Sequence, residues 1–302
     1  MLLLLALLAG CAGPQTALLV KERPADLPQR AEIESAPFYP QERYQCGPAA
    51  LATVLVHAGV DTSPEALVPL VYLPARQGSL QAEMLAATRH HGLIAYPLAP
   101  RLEDALREVA AGNPVVVLQN LALDLWPVWH YAVVVGYDQG AQEIVLRSGV
   151  TRRLVQSWSS FERTWARSGY WAMVALPPQR LPATVQEGTY VAAAVALERV
   201  DPDAAHRAYG TALERWPRNL TARIGLGNTA YARGDLAGAE AAYRQAVLDH
   251  PQSADAWNNL AQVLVESGKK AEALTAAERA VSLGGPRLSQ YRATLETIQN
   301  AR

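Results

Sequence analysis

Cys46 has the residue type and the setting for covalent chemistry. It stands in the stretch Tyr39-Pro-Gln-Glu-Arg-Tyr-Gln-Cys46-Gly-Pro-Ala-Ala-Leu-Ala-Thr-Val-Leu55. Ahead of it the residues are polar and aromatic with a proline, and no regular element fits them. Behind it, Gly47-Pro48 opens a run whose apolar residues Leu51, Val54, Leu55 and Ala58 recur at helical spacing. Proline suits a first helical turn, where its missing N–H leaves nothing unpaired, and Gly59 supplies the stop. The thiol is therefore expected where a loop enters a helix, against the positive end of the dipole. That position lowers a thiol's pKa and favours the nucleophilic thiolate. A cysteine beside an apolar helix is more often a small buried hydrophobe. The loop-to-helix junction, Gln41 upstream and a histidine on a later strand weigh against that here.

A thiolate nucleophile needs a base and something to hold that base. The histidines are His57, His90, His91, His130, His206 and His250. His57 falls at the far end of the Cys46 helix, and His90 and His91 sit together near a helix end, where they complement the dipole. His206 and His250 lie in a separate repetitive region. His130 begins a hydrophobic run, Trp129-His-Tyr-Ala-Val-Val-Val-Gly-Tyr137, which reads as a buried strand. A strand end presents a side chain to a cleft while the strand body fixes its position, as a base requires.

The elements that must position this pair follow from the pattern. Ser63 or Thr62 caps a helix begun by Pro64 and Glu65, Ser79 to His91 forms another, and Leu102 to Ala111 a third. Short β-branched runs then take over at 114–119, 129–137, 143–147 and 171–176. Helices followed by a meander of strands make an α+β domain. The cluster Pro177-Pro-Gln-Arg-Leu-Pro182 marks a linker. Beyond it the chain is alanine-rich and repeats at a step of 34: Ala205, Ala239 and Ala273 share one register, Ala212, Ala246 and Ala280 another. Tyr209 and Tyr243, and Pro217 and Pro251, keep the same step, the period of tetratricopeptide repeats. About three repeats are expected over 186–300. Such arrays carry a concave groove for extended peptides or helices. Asn228, Arg233, Asn258, Gln262 and Glu266 are placed on or near that face as residues for a protein partner.

At the other end, Met1-Leu-Leu-Leu-Leu-Ala-Leu-Leu-Ala-Gly-Cys11 is too short to span a bilayer, which takes about 20 residues. It reads as a signal h-region ending in small residues. Leu8-Ala9-Gly10-Cys11 resembles the lipobox of bacterial lipoproteins, which implies cleavage before Cys11 and lipidation of that residue. Ala12 rather than aspartate after the cysteine implies the outer membrane, with the protein facing the periplasm. Residues 12–36, with Pro14, Pro24, Pro28 and scattered charges, are expected to be a tether. If lipid occupies Cys11, then Cys46, the only other cysteine, has no partner for a disulfide. A formal net charge of −1 excludes a basic nucleic-acid surface. No metal-ligand spacing and no cofactor motif is read.

Gln41-x4-Cys46-Gly-Pro-Ala-Ala-Leu, followed by His130-Tyr-Ala-Val-Val-Val-Gly-Tyr-Asp138, resembles the bacteriocin-processing, double-glycine leader peptidases, which are papain-like cysteine proteases. The whole arrangement is similar to bacterial lipoproteins that join such a domain to tetratricopeptide repeats. The fold implied is an α+β papain-like cysteine peptidase domain over 37–178, then an all-α tetratricopeptide-repeat domain. By that resemblance Cys46 is the nucleophile and His130 the general base, with Gln41 donating to the oxyanion beside the Cys46 amide. The family carries an aspartate soon after the histidine strand to orient the imidazole. The corresponding place here reads Leu146-Arg-Ser148-Gly149, and Ser148 is its nearest equivalent. The function implied is a lipid-anchored cysteine peptidase acting on a peptide or protein. Its alternatives are an inactive peptide-binding adaptor and acyl or amide chemistry on cell-wall peptides.

Overall fold

The computed structural model describes residues 13–41 and 45–300 of the 302-residue chain. The expected lipidation residue, Cys11, lies outside the described residues. Two compact units divide the chain, one ending at Thr189 and one starting at Tyr190.

In chain order the first unit contains α1 (Pro14–Glu22), β1 (Arg30–Glu32), α2 (Cys46–His57), α3 (Pro64–Val71), α4 (Gln81–His90), β2 (Ile94–Pro97), α5 (Leu102–Ala110), β3 (Val115–Asn120), β4 (Trp129–Asp138), β5 (Glu143–Ser148), β6 (Thr151–Ser157), α6 (Trp158–Ala166) and β7 (Ala172–Leu176). The strands form one antiparallel sheet in the order β2-β7-β3-β4-β5-β6, and β1 pairs with the far end of β4. β3 and β7 are buried along their whole length, as the apolar runs Val115 to Leu118 and Ala172 to Leu176 lead one to expect. α2 is buried from Gly47 through Leu55, without a polar face, and packs on β4 and β3. A helix apolar on every side belongs in a core, and this one fixes its first residue, Cys46, against the sheet. A bulge at Val134/Gly136 bends β4 where β1 joins it. A β-carbon at Gly136 would fall 2.9 Å from the Ala31 carbonyl oxygen, so the close approach of β1 depends on glycine.

The expected tether at 12–36 is overturned. α1 is docked on α5 and α6, with Thr16 and Leu19 buried, and β1 is part of the sheet. The fastening is a carboxylate on a helix N-terminus. Glu162, buried in α6, accepts the Gln15 amide at 2.9 Å on one oxygen and the Thr16 amide at 2.7 Å on the other. Two unpaired amides and the positive end of the dipole meet a negative charge there. Glu162→Ala is expected to cost about 1–3 kcal/mol and to raise hydrogen exchange across 14–22. Unchanged exchange in that segment would contradict the assignment.

The proline-rich stretch after β7 is also pinned. Glu108, fully buried, accepts from the Ala183 amide (3.1 Å), the Thr184 amide (2.8 Å) and the Thr184 hydroxyl (2.7 Å). The first unit accordingly continues to Thr189, past the boundary of 178 expected from the proline cluster.

The second unit, which begins within the first turn of α7 (Glu187–Glu198), is a run of helical hairpins continued by α8 (Pro202–Arg215), α9 (Leu220–Ala232), α10 (Leu236–Asp249), α11 (Ala254–Glu266), α12 (Lys270–Leu283) and α13 (Leu288–Asn300). Side chains of Asp201, Asn219, Asp235 and Ser253 cap α8 to α11 by accepting the amide three residues on. The alanines in 34-residue register are fully buried at helix crossings. A β-carbon at Gly227 would fall 2.4 Å from the Tyr243 ring, so the glycine seats the next helix's tyrosine. These are tetratricopeptide repeats.

Candidate active site

Cys46 is the first residue of α2, with Gln45 as its N-cap. A β-carbon on Gly47 would fall 2.2 Å from the Ser79 hydroxyl oxygen. The glycine therefore lets the chain entering α4 lie on the first turn of α2, beside the thiol. His130 is the second residue of β4, paired across the ladder with Gln119 of β3. Gln119 is buried and donates its side-chain amide to the Thr164 hydroxyl at 2.6 Å, tying β3 to α6 behind the ladder. His130 is thus held by strands on a rigid sheet.

The imidazole Nε2 lies 2.8 Å from the hydroxyl of Ser148. Ser148 is buried at the end of β5, where a register shift leads into its pairing with Thr151. Gln41 is positioned from the same turn: its amide donates to the Gly149 carbonyl at 3.0 Å, and its side-chain amide reaches the Tyr131 carbonyl at 3.5 Å. Cys46, His130 and Gln41 all line one cleft of about 730 Å³, and Ser148 stands behind the imidazole.

With Nε2 engaged by Ser148, any proton exchange with the thiol would fall to Nδ1. A carboxylate only accepts hydrogen bonds, whereas a serine hydroxyl both donates and accepts. Ser148 therefore holds the ring without forcing the tautomer whose Nδ1 is bare. It also supplies no charge to stabilise an imidazolium.

The electrostatics correct the expectation of a ready thiolate. Burial pushes the Cys46 thiol above its ordinary value, although backbone hydrogen bonds from Tyr131, Gly47 and Cys46 itself pull the other way. Burial likewise pulls His130 below its ordinary value. Desolvation of both groups outweighs the helix end, because each loses water while the dipole offers only a partial charge. Both shifts favour the uncharged forms of thiol and imidazole.

Asp138 and three of the other histidines are engaged elsewhere. Asp138 is at the opposite end of β4, paired with Arg30 and accepting the Ala141 amide. His57 bonds the Gly112 carbonyl at 2.9 Å, His206 the Thr229 hydroxyl at 2.9 Å, and His250 the Arg218 carbonyl at 2.6 Å. Sequence reasoning missed Ser79, Leu80, Trp129 and Arg167, which also line the cleft. Only the Gly47 after the cysteine hinted that another segment must crowd in.

In the repeats, Arg233, Gln262 and Glu266 are exposed. Arg233 contacts Asp203 at 3.5 Å and His206 at 3.2 Å, and Glu266 accepts from Tyr231. Asn228 is half-buried and accepts the Tyr243 hydroxyl at 2.8 Å. Asn258 does not fit the expected role: it is 5% exposed, held inside α11's packing, and offers little to a partner.

Residues 33–173 match the Peptidase_C39 like family, and residues 190–247 and 224–287 match the Tetratricopeptide repeat. No curated protein matches the chain. Among solved structures, a crystal structure assigned as a C39-like peptidase from Bacillus anthracis is similar at 18% identity and TM-score 0.43, over 49% of this chain and 98% of that one. The type III secretion translocator chaperone SycD of Yersinia enterocolitica is similar at 18% identity and TM-score 0.36, over 41% of this chain and 96% of its own. A Thermobaculum terrenum O-GlcNAc transferase mutant is similar at 27% identity and TM-score 0.35, over 38% of this chain and 23% of that one. Residues 33–173 are thus similar to the Peptidase_C39 like family, and tetratricopeptide repeats follow them in the chain.

Proposed function

We propose that the first unit is a cysteine peptidase in which Cys46 attacks a peptide carbonyl while His130 takes the thiol proton. His130 then returns that proton to the leaving amine, and water releases the acyl group from the sulfur. Gln41 and the Cys46 amide are the donors for the developing oxyanion. Ser148 is a positioning residue, which holds the imidazole by its Nε2. The observation that carries this reading is one cleft lined by thiol and imidazole, with the imidazole fixed from behind at 2.8 Å. The substrate is a peptide or protein, and the repeats recruit a protein partner along Arg233, Gln262 and Glu266. Lipid on Cys11 anchors the chain to the outer membrane, facing the periplasm.

Cys46 and Cys11 are the only cysteines, so in Cys11→Ser protein a thiol-directed probe reads Cys46 alone. At neutral pH its alkylation is expected to slow in His130→Ala, and Cys46→Ala is expected to abolish peptide hydrolysis. Alkylation that His130→Ala leaves unchanged, with Cys46→Ala behaving as wild type, removes the enzyme. The reading then left is a peptide-binding adaptor, which the neutral pair and the missing carboxylate favour.

A further inference from the structure

The turn between β3 and β4 is an apolar crown. Leu121, Leu123, Leu125, Trp126, Val128 and Trp129 are all exposed, Leu125 at 81% and Trp126 at 75%, and Asp124 is the one charge among residues 121–129. Exposed apolar residues are ordinary when scattered, but a contiguous set marks a docking surface.

This turn is built to hold its shape. Asn120, buried at its root, accepts the Ala122 amide at 3.1 Å and the Val128 amide at 3.0 Å through its side chain. Leu123 and Trp126 bridge across it. Arg167, just past α6, donates to the Asn120 carbonyl at 3.2 Å and the Ala122 carbonyl at 2.5 Å. The root's backbone oxygens are therefore satisfied from within the fold, and the crown presents carbon to the outside.

Two observations select the occupant. Only the descending side, Pro127 to Trp129, lines the cleft. A peptide in the cleft leaves Leu121, Leu123, Leu125 and Trp126 uncovered, whereas a hydrocarbon surface covers them all. Secondly, the start of α1 and the root of the crown are fastened to the same short stretch. Glu162 holds Gln15 and Thr16, Tyr170 bonds Gln15, and Arg167 holds the turn. Cys11 precedes Pro14 by three residues, roughly 10 Å of extended chain. A lipid there enters the bilayer close to this flank of the domain.

We propose that the β3–β4 crown inserts into the surface of a lipid bilayer and sets the cleft mouth at the membrane. Leucine and tryptophan at a rigid tip suit the boundary of headgroups and acyl chains. No helix among the described residues is long and apolar enough to cross a membrane, so the contact is interfacial. Insertion by the crown stands apart from lipidation, although the argument from the position of Cys11 rests on the lipoprotein reading.

The test uses the full chain as Cys11→Ser, without lipid, and phosphatidylcholine vesicles in co-sedimentation. Binding that survives high salt is expected, falling about tenfold or more in Leu125→Asp/Trp126→Asp. Leu248→Asp, an equally exposed leucine in the repeats, should bind like its parent. No vesicle binding, binding lost in salt, or equal binding by the crown variant would overturn the proposal. Thermal unfolding of the crown variant at the parent's temperature confirms that folding is intact, and a Leu125→Ser/Trp126→Ser variant repeats the test if it is not. Lipidation is read separately, from the membrane fraction of cells making wild type or Cys11→Ser. Wild type held at the membrane with Cys11→Ser blind to vesicles would sink the crown and leave the anchor standing.

Discussion

Ser148→Asp is expected to make Cys46 a far better nucleophile at neutral pH. The Ser148 side chain already faces the imidazole, its hydroxyl 2.8 Å from Nε2, so a carboxylate on this residue is directed at the ring. An opposite charge at that range raises a pKa by about 1–3 units. The population of thiolate–imidazolium pair depends on the difference between the two pKa values. Each unit gained by His130 raises that population about tenfold, worth about 1.4 kcal/mol. Alkylation of Cys46 and peptide hydrolysis near pH 7 should rise by about 10- to 1000-fold. The aspartate also accepts only, so it enforces the tautomer with Nδ1 bare. Imidazole proton resonances followed through a pH titration check the cause, and an unmoved His130 would contradict it.

His130→Ala is the second large effect. Without the base the half-buried thiol must ionise unaided, and desolvation already disfavours its anion. Hydrolysis should fall by about 10²–10⁴-fold, the usual contribution of a positioned acid–base group. Stability should change little by comparison, because His130 is half-buried near the end of β4 and the ladder's backbone bonds to β3 remain. A loss of activity matched by unfolding, seen in circular dichroism, would assign His130 a structural role instead.

How much of this was legible in the sequence depended on how local each cause is. The 34-residue alanine registers announce the repeats because every helix crossing needs the same small residue. The Cys46 helix was readable from Gly47-Pro48 and its apolar run, and the His130 strand from its β-branched body. The docking of α1 was not, since its anchor, Glu162, is 146 residues from Thr16 in sequence. β1 is three residues long, Arg30–Glu32, and its close approach to β4 depends on Gly136 of that strand. β6 escaped notice because Arg152, Arg153 and Gln156 break up any apolar alternation. The thiol's pKa was misjudged for a related reason. A helix N-terminus can be seen in sequence, but the degree of burial that opposes it is set by segments such as Ser79 and Trp129, far apart in the chain.

The decisive measurement is the pH dependence of Cys46 alkylation by iodoacetamide in the Cys11→Ser protein, with and without His130→Ala. If imidazole draws the proton from a neutral thiol, the parent's rate rises as His130 loses its proton, with a midpoint below 6.5. It then holds level and climbs again only above 9.0, where the thiol ionises alone. The His130→Ala protein should keep only the upper rise. Two superimposable curves would mean that thiol and imidazole do not act together.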